Sequence, residues 1–254
     1  MTVLIGQDPE LALVHGWGLG SAVWQPLLAP LSRSCRVHLV DLPGYGPSPA
    51  SDTDFTETAR NLIDALPDSV ILCGWSLGAM LAMRAALLAP QRVAALVLVG
   101  ATASFIQRDG WQHAQAPELL DSFSASIRQQ PEQTLQRFVG LLNQGDEQAR
   151  ALCRTLRAGL RAGRMPDPET LRCGLDWLRD LDLRLLLPKI ATPSLLIHGD
   201  QDLLNPLAAA KSLEKAMPNA RLEVFIGAAH APFLADPDRF VALLDEFCHV
   251  RTAS

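Results

Sequence analysis

The sequence predicts an α/β fold in which a mostly parallel, doubly wound sheet carries an inserted helical cap. Short apolar runs bounded by turn residues are typical of buried parallel strands. Six such runs occupy residues 11–14, 37–40, 70–73, 96–99, 194–197 and 222–226. Helical patterns lie between several of them, notably over Leu77–Leu88. This alternation of strand and helix is the pattern that builds a parallel sheet.

The helical cap is predicted from a change of pattern after Gly100. Residues 105–185 are helical in pattern and rich in Arg and Gln, before strand character returns. Prolines interrupt this segment at Pro117, Pro131, Pro166 and Pro168. We therefore expect residues 1–104 and 186–254 to form one α/β core, with residues 105–185 packed on its sheet as a cap.

The composition is that of a compact globular chain. Of the 254 residues, 48% are hydrophobic and 19% are charged. The net charge of −5 argues against general binding to nucleic acid, which requires a basic surface. No apolar run approaches the roughly 18 residues of a membrane span, and the first ten residues do not resemble an export signal. We therefore expect a cytoplasmic protein with no membrane or nucleic acid partner, and a monomer as the default state.

The cysteines argue against both a disulfide framework and a metal site. There are five of them, an odd number, and they are scattered without a Cys-x-x-Cys pair. Such residues are more often small buried side chains than ligands. We therefore expect reduced thiols, no metal ion and no organic cofactor.

A serine nucleophile is predicted at Ser76, in the run Gly74-Trp75-Ser76-Leu77-Gly78. The run follows a predicted strand and opens a predicted helix, which is the nucleophile-elbow pattern of a serine on a sharp strand-to-helix turn. The two glycines suit such a turn because the serine backbone is strained and neighbouring chain passes close by. The hydroxyl then lies at a helix N-terminus, where developing negative charge is favoured.

A serine nucleophile needs a base and an acid, which we assign to His230 and Asp202. Of the six histidines, only His230 lies in a loop just after a late predicted strand. The chain order Ser, Asp, His then requires an acid before it, after another strand end. Asp200 and Asp202 are the candidates, and Asp202 lies further into the loop. We expect Asp200 instead to cap the turn by accepting bonds from local backbone N–H groups.

An oxyanion hole is expected from the backbone N–H groups of Trp17 and Leu77. One donor follows the nucleophile and the other comes from an early strand-to-helix loop. His15-Gly16-Trp17-Gly18 is that early loop, and its glycines allow the backbone to turn its amides inward. The indole of Trp17 is expected either to pack in the core or to wall the acyl pocket, and both roles are compatible.

The same early loop partly matches a dinucleotide-binding fingerprint. Gly16-x-Gly18 follows a strand, and Asp41 ends the next strand. The third small position is Ser21, and a long Gly/Pro loop follows Asp41 where a ribose-binding acid would need a short turn. The pattern therefore favours the oxyanion loop over a nucleotide site.

An arginine stripe is predicted on one helix of the cap. Its members are Arg150, Arg154, Arg157, Arg161 and Arg164, and no acidic residue lies between them. At about 100° per residue they fall within about 40° of one direction. Leu152, Leu156 and Leu160 lie near the opposite side, as in an amphipathic helix. The stripe is either a solvated cationic face or a docking surface for an anionic partner.

Five motifs together resemble the α/β-hydrolase superfamily, and the resemblance covers nearly the whole chain. They are His15-Gly16-Trp17-Gly18, Asp41-Leu42-Pro43-Gly44-Tyr45-Gly46, Gly74-Trp75-Ser76-Leu77-Gly78, His198-Gly199-x-x-Asp202 and Ala229-His230-Ala231-Pro232-Phe233. Within the superfamily, the tryptophans of the first and third motifs and the His-Ala-Pro-Phe run are most similar to the pimeloyl-[acyl-carrier protein] methyl ester esterases of biotin synthesis.

That resemblance implies Ser76, Asp202 and His230 as the catalytic triad, with Trp17 and Leu77 as acyl and oxyanion contacts. It also implies that a run of the cap lines the substrate channel, namely Phe138, Val139, Gly140, Leu141 and Leu142. The partner implied is an acyl-carrier protein, which is acidic. Its expected contacts are Arg137, Arg150, Arg154, Arg157 and Arg161.

The function implied is hydrolysis of the methyl ester of pimeloyl-[acyl-carrier protein] through an acyl-enzyme on Ser76, with His230 as the base for water. Two alternatives stay open. One is a carboxylesterase, lactonase or C–C hydrolase that acts on a free small molecule, with the arginine stripe as mere surface. The other is a catalytically inactive hydrolase fold used for binding. Dependence on the carrier and labelling by a fluorophosphonate distinguish them.

Overall fold

A seven-stranded sheet forms the centre of the protein. The computed structural model describes residues 2–3, 9–162 and 164–252. The strands are β1 (Thr2–Val3), β2 (Glu10–Val14), β3 (Arg36–Val40), β4 (Val70–Trp75), β5 (Val93–Val99), β6 (Ser194–Gly199) and β7 (Ala220–Phe225). Their order is β1-β3-β2-β4-β5-β6-β7, and all neighbours are parallel except β1 and β3. The predicted fold class, a mostly parallel α/β sheet, is confirmed.

Helices follow most of the strands. They are α1 (Gln25–Leu31), α2 (Phe55–Asp64), α3 (Leu77–Leu88), α4 (Pro117–Gln129), α5 (Pro131–Leu142), α6 (Ala149–Ala162), α7 (Pro168–Asp180), α8 (Leu207–Ala216), α9 (Pro232–Ala235) and α10 (Pro237–Thr252). Two short 3₁₀ helices occupy Ser21–Trp24 and Arg184–Lys189. The helix predicted at Leu77–Leu88 is confirmed at both ends.

The central strands are buried because helices and neighbouring strands cover them on all sides. Every residue of β4 is buried, as are four of the five residues of β2. The edge strand β7 departs from the predicted burial, since most of its residues are only partly buried. Among the strands that the structure describes, β6 is its one neighbour, so its other edge is unpaired. Ile226, predicted to belong to this strand, lies beyond its end and is 78% exposed.

Four α-helices, α4 to α7, and the 3₁₀ helix Arg184–Lys189 lie between β5 and β6 in the described chain. Pro117, Pro131 and Pro168 are the first residues of α4, α5 and α7, where the missing N–H of proline costs no helical hydrogen bond. The predicted helical pattern is wrong for residues 105–116. Isolated bridges from Ile106 to Gln115 and from Arg108 to Trp111 close that segment into a loop instead.

All five cysteines lie among the described residues, and none of them forms a disulfide bond. Three of them, Cys35, Cys73 and Cys248, are buried. Burial raises the pKa of the Cys73 thiol far above its ordinary value, so that thiol stays protonated. Within the described ranges, no helix combines the length and the apolar character that crossing a membrane requires.

Candidate active site

Ser76 lies on a sharp turn between β4 and α3. Its backbone has a φ of 56° and a ψ of −117°, a region that non-glycine residues rarely adopt. The turn leaves no room for a side chain two residues before or two residues after the serine. A Cβ at Gly74 would lie 2.3 Å from the Gly78 carbonyl oxygen, and one at Gly78 would lie 2.5 Å from the Val14 carbonyl oxygen. The two glycines therefore allow the serine to stand at the N-terminus of α3.

His230 and Asp202 form a buried pair. The Nδ1 atom of His230 lies 2.6 Å from Oδ2 of Asp202, and both residues are almost fully buried. The second oxygen of Asp202 accepts the backbone N–H groups of Leu204 and Asn205, each at 2.9 Å. Oδ1 is thus occupied by two backbone donors, and Oδ2 is left to accept a hydrogen bond from an Nδ1–H of His230.

A second histidine packs against the same acid. Nε2 of His198 lies 2.6 Å from the Asn205 carbonyl oxygen and 3.3 Å from Oδ2 of Asp202. Burial lowers the pKa of His198, outweighing the opposing effects of Asp202 and Asn205. A neutral ring with its proton on Nε2 therefore donates to the Asn205 carbonyl, and the same N–H also lies close to the Asp202 carboxylate.

The prediction that Asp200 caps its own turn is wrong, because its side chain binds a distant backbone N–H group. Its Oδ1 accepts the N–H of Gly227 at 2.8 Å, which lies 27 residues further along the chain. Because β6 and β7 are neighbours, the loops at their carboxyl ends meet, and Asp200 joins them. Asp202 itself caps the local turn, so one carboxylate both holds its loop and binds the histidine.

Ser76 and His230 are held side by side by the backbone between them. The N–H of Ser76 donates to the Val99 carbonyl at 2.9 Å, and a Cβ at the next residue, Gly100, would lie 3.1 Å from the His230 ring. From the other side, the indole N–H of Trp75 donates to the His230 carbonyl at 2.8 Å. Nε2 of His230 is buried and has no hydrogen-bond partner among the residues that the structure describes. Nε2 therefore makes no hydrogen bond to the Ser76 hydroxyl in this structure.

The early loop approaches the serine closely. A Cβ at Gly16 would lie 3.2 Å from the Cβ of Ser76, so the following residue, Trp17, lies beside the serine turn. The indole N–H of Trp17 donates to the Leu171 carbonyl in α7 at 2.8 Å, which fixes the side chain under the helices. Leu77 begins α3, so its N–H has no carbonyl within the helix to bind. Both predicted oxyanion donors thus border Ser76.

His15 and Tyr45 hold this loop from behind. Nδ1 of His15 lies 2.7 Å from the Gly16 carbonyl oxygen, and Nε2 accepts the N–H of Leu42 at 3.1 Å. Burial lowers the pKa of His15, which agrees with a neutral ring that donates from Nδ1 and accepts at Nε2. The Tyr45 hydroxyl accepts the N–H of Gly18 at 3.0 Å. The sequence motifs contained Tyr45, but nothing in them indicated this bond.

Asp41 is engaged in the same loop. Its two oxygens accept the backbone N–H and the hydroxyl of Ser21 at 2.8 and 2.9 Å. Both oxygens of Asp41 therefore accept bonds from the protein itself. An acid that binds a ribose would need its oxygens available to the ribose hydroxyl groups. This contact agrees with the interpretation of the segment as an oxyanion loop.

The predicted channel residues divide between two faces of α5. Phe138, Val139 and Leu142 are buried, and the Phe138 ring meets Trp17 edge to face at 4.7 Å between centroids. Gly140 and Leu141 are only half-buried. A Cβ at Gly140 would meet nothing within 4 Å, because this residue lies on the side of the helix opposite Phe138.

Two recesses lie beside α6, and Ser76 lines neither of them. One, of about 290 Å³, is apolar and lies between α6 and the chain that follows the early loop; Leu19, Val23, Leu156 and Leu160 are among its lining residues. The other, of about 200 Å³, is lined by Glu132, Leu135, Gln136, Leu160, Arg161 and Met165. Leu160, predicted to face inward, is half-buried because it lies on the flank of α6 and borders both recesses.

The arginine stripe is shorter than predicted. Helix α6 ends at Ala162, so Arg164 lies beyond its last residue. Arg150, Arg154 and Arg161 are exposed, as is Arg137 on α5. Arg157 is half-buried, and its Nη2 donates to the Gln136 carbonyl at 3.2 Å. Within the part of the chain that the structure describes, none of these arginines forms an ion pair.

A serine on a strand-to-helix turn and a buried histidine–carboxylate pair are together suited to acyl transfer through a covalent intermediate. A family model described as the alpha/beta hydrolase fold matches residues 9–237. The chain belongs to the α/β-hydrolase family.

More particular relatives share nearly the full length. The chain is 39% identical to a pimeloyl-[acyl-carrier protein] methyl ester esterase of Nitrosomonas europaea, over 94% of this chain and 96% of that protein. It is 40% identical to the protein of the same name in Photobacterium profundum, over 95% of each chain. Among solved structures, an esterase from Exiguobacterium antarcticum has a TM-score of 0.89 at 26% identity, covering 97% of this chain and 94% of that one. The resemblance inferred from the motifs is confirmed.

Proposed function

We propose that this carboxylesterase hydrolyses the methyl ester of pimeloyl-[acyl-carrier protein] to the free acid and methanol, as a step of biotin synthesis in the cytoplasm. The observation that supports it most is the buried pair of His230 and Asp202 beside the strained Ser76 turn. The activity named for the two relatives supports the choice of substrate. Five cysteines without a disulfide bond suit a reducing compartment.

The first half of the reaction is acyl transfer to Ser76. The hydroxyl oxygen attacks the ester carbonyl carbon while its proton passes to Nε2 of His230, the buried nitrogen to which no described residue hydrogen-bonds. The carbonyl oxygen becomes an oxyanion, which the N–H groups of Trp17 and Leu77 stabilise. Collapse of this intermediate breaks the bond to the methoxy oxygen. That oxygen takes the proton from His230 and leaves as methanol.

The second half releases the acid. Water attacks the acyl carbon on Ser76 while His230 accepts one of its protons. The second tetrahedral intermediate collapses, and His230 returns its proton to the Ser76 oxygen. Throughout, Asp202 remains ionised and stabilises the imidazolium through the 2.6 Å contact with Nδ1.

The acyl chain is proposed to run along the inner face of α5. Trp17, Phe123 and Phe138 form an aromatic cluster there, with ring centroids 4.7 to 6.0 Å apart. Val139 and Leu142 extend the apolar surface, and Leu142 also binds the backbone of His230. Such a wall accepts a methylene chain by burial of apolar surface. Gly140 and Leu141 are proposed to support this wall, since neither is fully buried.

The carrier is proposed to dock on α6 and the adjoining end of α5. Arg137, Arg150, Arg154 and Arg161 are exposed there, and the described chain supplies them with no carboxylate partner. An acidic protein would neutralise this charge. The recess beside Arg161 is also lined by Leu135, which lies against Gly18 next to Trp17. A flexible arm that enters beside Arg161 would therefore lead toward the Trp17 loop.

The decisive experiment compares one methyl ester presented free and on the carrier protein. The proposal requires a higher kcat/KM for the carrier-bound ester. Equal values for both would favour an esterase, lactonase or C–C hydrolase that acts on free small molecules. Lack of reaction with a fluorophosphonate would favour the inactive binding protein.

Reversing two charges of the stripe is expected to impair the carrier-bound ester selectively. Arg150→Glu with Arg154→Glu should raise its apparent KM and flatten the dependence of KM on ionic strength, because exposed charges act mainly on association and are screened by salt. At about 0.5–1 kcal/mol for each lost contact, the effect is roughly five- to thirty-fold, before repulsion is added. Steady-state kinetics on both substrates measures it.

The matched control is Arg33→Glu with Arg60→Glu, which changes the net charge equally at exposed positions away from α6. A p-nitrophenyl ester that does not need the cap surface is the second control. Equal loss on both substrates would mean that the cap itself was damaged. No loss on either would reduce the stripe to a solvated face.

A further inference from the structure

The end of α5 and the α5–α6 turn, which comprises residues 143–148, hold the backbone around His230 by hydrogen bonds. The N–H of His230 donates to the carbonyl of Leu142, the last residue of α5, at 3.1 Å. The N–H of Glu147 donates to the Gly227 carbonyl at 3.0 Å. The N–H of Ala229 donates to Oδ2 of Asp146 at 2.9 Å. The end of α5 and the turn after it therefore hold residues 227–230, the segment that carries the proposed base, by three hydrogen bonds.

Asp146 contributes the one side chain among these three bonds. Its carboxylate is buried, and the other oxygen accepts the N–H of Gln148 at 2.7 Å. Both oxygens are thus used, one within the turn and one on the residue next to His230. Hydrogen bonds to a charged acceptor are about twice as strong as neutral ones. Loss of this acceptor would leave the buried N–H of Ala229 unpaired.

We infer that Asp146 is a positioning residue that sets where the His230 ring stands relative to Ser76. The inference rests on the proposed role of His230 as the base. The ring is anchored at Nδ1 by Asp202, while Nε2 has still to reach the serine hydroxyl. A shift at Ala229 moves the adjacent Cα of His230 and so changes that approach. Misplacement by about 1 Å can lower a rate by about a hundredfold.

The test is Asp146→Ala compared with Gln148→Ala, using p-nitrophenyl ester hydrolysis well below the melting temperatures of both variants. Gln148 belongs to the same turn, but its side chain reaches the Ala235 carbonyl and not the segment before His230. Asp146→Ala is expected to lower kcat about ten- to a hundredfold with KM changed less than threefold. Gln148→Ala should keep kcat within twofold of the wild type.

Asp146→Asn provides a milder variant in case Asp146→Ala does not fold. Its amide oxygen can still accept the Ala229 N–H, without the charge, while its NH₂ group faces the Gln148 N–H and loses that bond. We therefore expect kcat to fall about three- to tenfold at unchanged KM. The far-downfield proton resonance of the His230 Nδ1–H should broaden in both Asp146 variants and stay sharp in Gln148→Ala. A wild-type kcat and resonance in either folded Asp146 variant, with only a lower melting temperature, would overturn the inference.

The failure of this inference can be told apart from the failure of the proposed function. The p-nitrophenyl ester does not depend on the identity of the natural substrate. Labelling of the wild-type protein by a fluorophosphonate, abolished by Ser76→Ala and by His230→Ala, tests the roles of those two residues separately. If labelling requires both but Asp146→Ala and Asp146→Asn keep their full kcat, only the positioning role is wrong.

Discussion

Ser76→Ala is expected to abolish ester hydrolysis while leaving the fold intact. The change removes only the oxygen that attacks the carbonyl, since Cβ and the backbone bond to Val99 remain. Triads of this kind contribute several orders of magnitude to kcat, and the rest of the site retains only a small residual rate. Steady-state hydrolysis of a p-nitrophenyl ester and far-UV circular dichroism measure the two halves of this expectation. A kcat within tenfold of the wild-type value would show that Ser76 is not the nucleophile.

The double variant Ser76→Ala with His230→Ala extends this test. If the serine and the histidine act as one unit, each single change already loses nearly the whole contribution of the triad. The effects on kcat should therefore be strongly non-additive. Additive losses would mean that His230 acts independently of Ser76, and the base would then have to be sought elsewhere.

Asp202→Asn is expected to lower kcat by about four orders of magnitude, as the equivalent change does in other serine triads. The structure gives the reason. The N–H groups of Leu204 and Asn205 require an acceptor at the Oδ1 position, so the amide oxygen of an asparagine would take that place. Its NH₂ group would then face Nδ1 of His230, which can accept this bond only as the tautomer protonated at Nε2. That tautomer cannot act as a base.

Asp200→Asn is the matched control. An asparagine oxygen can keep the side-chain bond to the N–H of Gly227, and that contact lies in the loop and not on the His230 ring. We expect a loss of kcat that is smaller by at least two orders of magnitude than that of Asp202→Asn, measured under the same conditions. The reverse ranking would transfer the role of the acid to Asp200.

The sequence was sufficient for the parts of the site that follow from local pattern. Ser76 was predictable because a buried strand, two glycines and a helix surround it within a few residues, and Leu77–Leu88 is helical at both predicted ends. His230 and Asp202 were predictable because parallel strands bring their carboxyl ends to one edge of a sheet. The family and its fold are confirmed by relatives that share nearly the full length.

Contacts between distant segments were not predictable in this way. Asp200 has a partner 27 residues away, and Asp146 has one 83 residues away, and neither distance leaves a periodic trace in the chain. The burial predicted for β7 was wrong because the pattern of a strand does not reveal whether it lies at the edge or in the middle of the sheet. Arg164 was misplaced because angular spacing assumes a continuous helix, whereas α6 ends at Ala162.

The positive φ of Ser76 has a consequence for the evolution of stability in this chain. A non-glycine residue in such a region costs on the order of 1–3 kcal/mol, which is a substantial part of the 5–15 kcal/mol that stabilises a typical domain. Glycine would adopt the same backbone without that strain and would remove the nucleophile. Selection for heat resistance and selection for turnover therefore oppose each other at position 76. A more stable descendant that keeps its activity must gain its free energy of unfolding elsewhere in the chain.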